Sequence, residues 1–220
     1  MTQTQQALFG LDERCIVSYQ ALLMHSEVVS QWQALVESAA KAGFDLQAAS
    51  AYRSYASQLA IWNQKASGER PLLDANGNQL DVAELSPIEC LWAIMKWSAL
   101  PGASRHHWGS EFDVYDAASL PDGYRLKLTV EETESGGVLA DFYQWLDKAL
   151  PVTGFHRPFY GQNSVAREPW HISCTAVSQP FYESLERKTL YDFFSQRKDL
   201  ALQDQVLQNF DEIYDCYILV

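Results

Sequence analysis

Residues 104–113 read Ser-Arg-His-His-Trp-Gly-Ser-Glu-Phe-Asp (SRHHWGSEFD) and place two of the chain's five histidines side by side. Neighbouring side chains rarely serve one site. They face opposite ways on a strand and stand roughly 100° apart on a helix. His106 lies seven residues before Asp113. Fully extended, that separation would reach roughly 23–25 Å, so the two can meet at one metal only if the chain turns back between them. Gly109 can adopt the backbone angles of such a reversal. From Phe112 to Asp116 the pattern alternates like a strand, with Phe112 and Val114 toward a core and Asp113 and Tyr115 on the other face.

A third donor comes from Glu168-Pro169-Trp170-His171. In an ideal strand positions 168 and 171 point to opposite sides, but Pro169 prevents a regular central strand and bends the entry. Both side chains can then face one cleft. His and Asp ligands with one open position suit a catalytic zinc, and a free carboxylate nearby can shuttle the proton of an attacking water. Glu168 stands in that position. Taken singly, either spacing is a weak sign, since most isolated histidines are structural.

Around this centre the chain reads as alternating helices and short strands. A stripe of Val28, Val29, Trp32, Leu35, Val36 and Ala39 predicts a helix over about 26–42, closed by Gly43. A strand over 44–52 and a helix through SYASQLAIWNQKASG follow, then an exposed loop or hairpin at 69–85 containing Pro71 and DANGNQ. Ser86-Pro87-Ile88-Glu89 is a capping box opening a helix to about Ser98, with Trp92 and Trp97 expected in the core. A helix near 138–149 and strands at 152–155 and 170–174 come next. The last 45 residues carry two or three amphipathic helical stretches. The fold class is α+β, and the chemistry lies at about 45–175. Residues 1–44 and 176–220 read as helical extensions of a single domain.

Sixteen basic and twenty-eight acidic residues give a net charge of −12, with 47% hydrophobic residues. That balance argues against nucleic-acid and anionic-membrane partners, which select a basic face. No stretch approaches about 20 uninterrupted apolar residues, and the N-terminal sequence lacks the pattern of a secretory signal. Cys15, Cys90, Cys174 and Cys216 are scattered without a CxxC pair, as expected of free thiols in a reducing compartment. The expected location is cytoplasmic.

The strings SAYRSYASQ, SRHHWGSEFD and EPWHIS resemble the VanY-type D-alanyl-D-alanine carboxypeptidases of bacteria. That family's pattern is SxHxxGxxxD, followed by ExWH and preceded by a YRS segment with a glutamine five residues after its arginine. The resemblance covers about residues 45–175. It implies zinc bound by His106, Asp113 and His171, with Glu168 as catalytic base. Arg53, Gln58 and Ser104 are implied as substrate contacts. It also implies the fold shared with the hedgehog domain, a small antiparallel sheet carrying the zinc site and packed with helices. A carboxypeptidase must hold a free terminal carboxylate, and the guanidinium of Arg53 suits that group. Arg105, Arg157, Arg167 and His156 lie near the motifs as further candidates for the cleft. Trp108 is bulky where the family is expected to be smaller. It either walls the pocket or fills the core.

The implied substrate is a peptidoglycan stem peptide or muropeptide. In the cytosol, trimming pentapeptide precursors would attack wall synthesis, whereas recycled tetrapeptides must lose D-Ala. An LD-carboxypeptidase of peptidoglycan recycling is therefore expected. The alternatives are a DD-carboxypeptidase or D-Ala-D-Ala dipeptidase, a phage-type endopeptidase, or a zinc-containing binding module without catalysis.

Overall fold

The computed structural model describes residues 1–74, 77–160 and 164–219. The chain opens with a short helix, α1 (Gln3–Leu8), and a hairpin of β1 (Ile16–Tyr19) and β2 (Leu22–His25). Helix α2 (Val29–Ala42) buries Trp32, Leu35 and Ala39 from the anticipated stripe and stops at Gly43, which takes a left-handed φ of 92°. Strand β3 (Leu46–Ser50) leads to α3 (Tyr55–Ala66), whose first turn is capped by the Ser54 hydroxyl. Strands β4 (Leu72–Leu73) and β5 (Gln79–Leu80) pair antiparallel, the hairpin alternative of the region expected to be an exposed loop or hairpin. Residues 75 and 76 of that region lie outside the described residues. Helix α4 (Pro87–Trp97) opens on the Ser86–Glu89 capping box with Pro87 in its first turn.

Strand β6 (Glu111–Asp116) follows a 3-10 turn at Arg105–Trp108, and α5 (Val130–Thr133) and α6 (Ala140–Thr153) come next. Strands β7 (Phe155–His156) and β8 (His171–Cys174) complete the sheet. The strand expected at 152–155 is displaced. Helix α6 runs on through Pro151 to Thr153, whose hydroxyl donates to the Ala149 carbonyl at 2.8 Å, and Gly154 ends it at φ 81°. Pro151 cannot donate to the carbonyl four residues back, yet the helix continues past it for two more residues. The C-terminal region forms α7 (Thr175–Glu183), α8 (Arg187–Ser195), α9 (Gln203–Gln208), α10 (Phe210–Ile213) and a π-helical turn at Tyr214–Ile218.

The central sheet has the order β3-β6-β8-β7, antiparallel throughout. One core lies between this sheet and helices α2 and α6, built from Trp32, Leu35, Phe112, Val114, Phe142 and Ile172. A second joins Trp62 of α3 and Leu91 of α4 to Phe9 near the N-terminus and to Phe194 and Phe210 near the other end. Phe9 stacks on Phe193 at 4.1 Å. The two terminal segments thus share a core with α3 and α4. The expectation of a wholly helical N-terminal extension is corrected by the β1–β2 hairpin. None of the described helices is long and apolar enough to cross a membrane.

Candidate metal centre

Register brings the donors together. Asp113 on β6 stands directly opposite His171 on β8, and directly opposed residues hold their Cβ atoms about 4.5–5.5 Å apart on one face. His106 arrives from the 3-10 turn, which Gly109 closes at φ 66°. A Cβ at Gly109 would sit 2.6 Å from the His25 backbone nitrogen, which instead donates to the Gly109 carbonyl at 2.9 Å. Conformation and close approach both require glycine there. One ligand atom from each of His106, Asp113 and His171 can be chosen so that all lie within 4.8 Å of one another.

The outward nitrogens of both imidazoles are occupied. Nδ1 of His106 lies 2.8 Å from the Ala51 carbonyl, so it carries the proton and leaves Nε2 facing Asp113 Oδ2 at 3.5 Å. Nε2 of His171 lies 2.9 Å from Glu111 Oε2, leaving Nδ1 toward Asp113 Oδ1 at 3.2 Å and Glu168 Oε2 at 3.6 Å. Asp113 Oδ1 is buried and accepts no aligned hydrogen bond. Two inward-facing ring nitrogens and a buried carboxylate oxygen converging on one point suit a tetrahedral zinc with an open position, whose binding would displace the proton of His171 Nδ1.

Electrostatics follow from burial. Burial drives His106 down to about 3, against the pull of Asp113, so it is a neutral donor at physiological pH. Burial also opposes charge on His171, but contacts with Asp113 and Glu111 outweigh it and raise it to about 9 without a metal. For Asp113 the desolvation cost is overcome by His106, His171 and Arg53, which hold it below the usual carboxylate range. Burial pushes Glu168 up to about 7 against the pull of His171, with the neighbouring Asp113 charge adding to the rise.

Glu168 and His171 share a face because the backbone turns tightly between them, the His171 amide donating to the Glu168 carbonyl at 3.1 Å. Arg53, Ser104, His106, Asp113, Glu168 and His171 all line one cleft of about 650 Å³. Gln58 does not line it. It is buried behind Arg53, its Oε1 accepting from Arg53 Nη1 at 2.6 Å and its Nε2 donating to the Ala99 carbonyl at 2.7 Å. The Ser50 hydroxyl takes the other terminal nitrogen of Arg53 at 2.8 Å.

The remaining candidates separate by role. Arg157 donates to the Pro169 carbonyl at 2.6 Å and pairs with Asp147, bracing the Glu168–His171 turn from behind. Arg167 pairs with Glu134 on the surface, and His156 meets the Thr175 hydroxyl at 2.8 Å. Arg105 stacks over Trp108 and lies 3.4 Å from Glu111. Trp108 is buried against Phe181 and fills core space. Trp97, expected in the core, lines the cleft, and so do Tyr217 and Ile218 from the C-terminal π turn. His107 sits apart from the metal-facing atoms. It contacts the Arg53 carbonyl at 2.6 Å and accepts from the Gly102 amide at 2.9 Å.

Sequence reasoning passed over Glu111 and Lys65. Lys65 donates to Ser98, a residue of the cleft wall, at 2.6 Å. Neither lies at a position of the recognised pattern, although Glu111 stands inside the quoted ten residues.

A small antiparallel sheet presenting His, Asp and His beside a free carboxylate has the make-up of a mononuclear metal-dependent hydrolase centre. The family model described as VanY, D-alanyl-D-alanine carboxypeptidase, matches residues 21–177. The chain belongs to that family, whose members are zinc peptidases acting on peptidoglycan-related peptides. Zinc is accordingly the cofactor that this donor set serves. Two uncharacterised proteins of Haemophilus influenzae are similar. One is 32% identical over 123 residues, 54% of this chain and 93% of that protein. The other is 44% identical over 77 residues, 35% of this chain and 53% of that protein. Among solved structures, VanYB in complex with D-alanine-D-alanine has a TM-score of 0.52 at 19% identity, covering 83% of this chain and 89% of that one. A variant of a VanY D,D-pentapeptidase in complex with Zn(II) has a TM-score of 0.50 at 22% identity, covering 80% and 88%. At these identities the likeness concerns the fold.

Proposed function

We propose that this chain is a zinc-dependent LD-carboxypeptidase that removes the terminal D-Ala from peptidoglycan tetrapeptides during recycling. In this reading His106, Asp113 and His171 hold the metal, Glu168 is the general base, and Arg53 and Ser104 contact the substrate. Gln58 acts through Arg53. The observation that carries the carboxypeptidase assignment is a braced guanidinium in the same cleft as the three donors. The fork of Arg53 keeps N–H groups free for a terminal carboxylate. We also read the chain as one peptidase domain, since its terminal segments share a core with α3 and α4.

When bound, zinc supplies a Lewis acid that activates water and polarises the scissile carbonyl. Arg53 fixes the terminal carboxylate and so sets which peptide bond reaches the donors. Glu168 takes a proton from the attacking water as oxygen adds to the carbonyl carbon. As the C–N bond breaks, the same carboxyl passes that proton to the departing D-Ala amine.

Preference for the LD bond is supported by the four cysteines, all free thiols, which suit a reducing compartment. There a tetrapeptide is a disposable substrate and a pentapeptide precursor is not. Cleavage of the DD bond is the second reading, favoured by the description of the matching family. Mass spectrometry of a tetrapeptide and a pentapeptide muropeptide offered side by side decides between them, since release of D-Ala from the pentapeptide alone refutes the LD reading. Glu168→Ala separates enzyme from binding module. It should keep zinc and lose turnover by about 10²–10⁴-fold.

A further inference from the structure

Glu111 lies two residues before Asp113 on β6 and is fully buried. Its register partner is Ser173, two residues beyond His171 on β8. Oε2 accepts from His171 Nε2 at 2.9 Å, while Oε1 accepts from the hydroxyls of Ser173 at 2.7 Å and Ser110 at 3.2 Å. Arg105 sits 3.4 Å away and also donates to Ser173 Oγ at 3.1 Å. The carboxylate is therefore held on several sides, with one oxygen aimed at the ring nitrogen on the far side from Asp113.

From this geometry we infer that Glu111 is a positioning residue for the metal, acting through His171. The inference rests on the zinc reading of the His106, Asp113 and His171 set. Accepting the Nε2 proton fixes the His171 tautomer that presents Nδ1 to the metal, and the negative charge makes that nitrogen a stronger donor. The two imidazoles are unequally supported: His106 has only a neutral carbonyl, Ala51, behind it. A buried ion pair that served packing alone would be replaceable by apolar residues at little cost. Aimed at a ligand nitrogen, the carboxylate has a use that no apolar residue can supply.

The test compares wild type, Glu111→Gln and Glu111→Ala. Zinc affinity is measured by competition with a chromophoric chelator, and each metal-free protein is melted in parallel. Gln keeps the volume and an acceptor but loses the charge, whereas Ala loses both. We expect roughly tenfold weaker zinc binding for Gln and roughly a hundredfold for Ala. If Ala, which strands Arg105, does not fold, the Gln variant decides alone. Wild-type zinc affinity in the folded variants, even with a lower metal-free melting temperature, would assign Glu111 to packing and overturn the inference alone. A wild-type protein that takes up no zinc would overturn the metal reading and this inference together.

Discussion

The braced arginine makes the sharpest prediction, because Gln58 is buried off the cleft and both its polar atoms have protein partners. Its Oε1 is committed to Arg53 and its Nε2 to the Ala99 carbonyl. In the proposed function, Arg53→Ala deletes the hydrogen bonds from a charged group to the terminal carboxylate. Such bonds contribute about 1.5–3 kcal/mol, so kcat/KM should fall about 10- to 150-fold. Gln58→Leu leaves the guanidinium held by Ser50 alone and should cost about 1 kcal/mol, roughly fivefold. If Gln58 acts only through Arg53, the double variant should be no worse than Arg53→Ala. The assay is D-Ala release from a tetrapeptide across the four proteins of this cycle, with thermal melts confirming that each is folded. An amidated substrate serves as control and should erase the Arg53 effect. Full additivity of the two losses would show that Gln58 meets the substrate independently and would refute the reasoning.

Dialysis against a strong chelator should abolish activity, and added zinc should restore it while raising the melting temperature as zinc concentration increases. Gly109→Ala should destabilise the protein by about 2–5 kcal/mol in urea denaturation, combining left-handed strain with a forced shift of the β1–β2 hairpin. Its Cβ would lie 2.6 Å from His25 N and 2.7 Å from Ile16 Cδ1, and an unchanged midpoint would contradict that crowding. Tyr217→Ala removes a cleft-lining ring that stacks on Trp92 at 5.6 Å, outside the family-matched residues. It should cost about 1 kcal/mol of stability and raise KM for the muropeptide more than it lowers kcat. Unaltered KM would place the tail outside substrate recognition.

What could be read in advance was local. The stripe over α2, the capping box of α4 and the glycine between His106 and Asp113 announce themselves within a few residues of sequence. Pro169 marked the bend that lets Glu168 and His171 share a face. What escaped depends on partners distant in the chain. Glu111 looks like any acidic residue until strand register sets its carboxylate against His171, sixty residues on. The β1–β2 turn uses Gln20 and Ala21 at φ 47° and 68°, positions where Asn or Gly would have signalled a hairpin. The contribution of Tyr217 to the cleft depends on how the C-terminal helices pack, which amphipathic spacing does not encode.

The histidine doublet illustrates both sides of this division. Spacing separates the two residues correctly, one toward Asp113 and one away, but it misses what joins them. His106 binds the Ala51 carbonyl through Nδ1, its own carbonyl accepts the Arg53 amide at 3.0 Å, and His107 meets the Arg53 carbonyl at 2.6 Å. Three hydrogen bonds thus stitch the segment bearing Arg53 to the turn bearing the metal-facing imidazole. A metallo-carboxypeptidase must hold its carboxylate anchor at a set distance from its metal, because that distance decides which peptide bond is presented. Adjacent side chains that diverge can meet this need where a convergent pair cannot. One faces Asp113 while its neighbour pins the backbone of Arg53, the proposed carboxylate anchor.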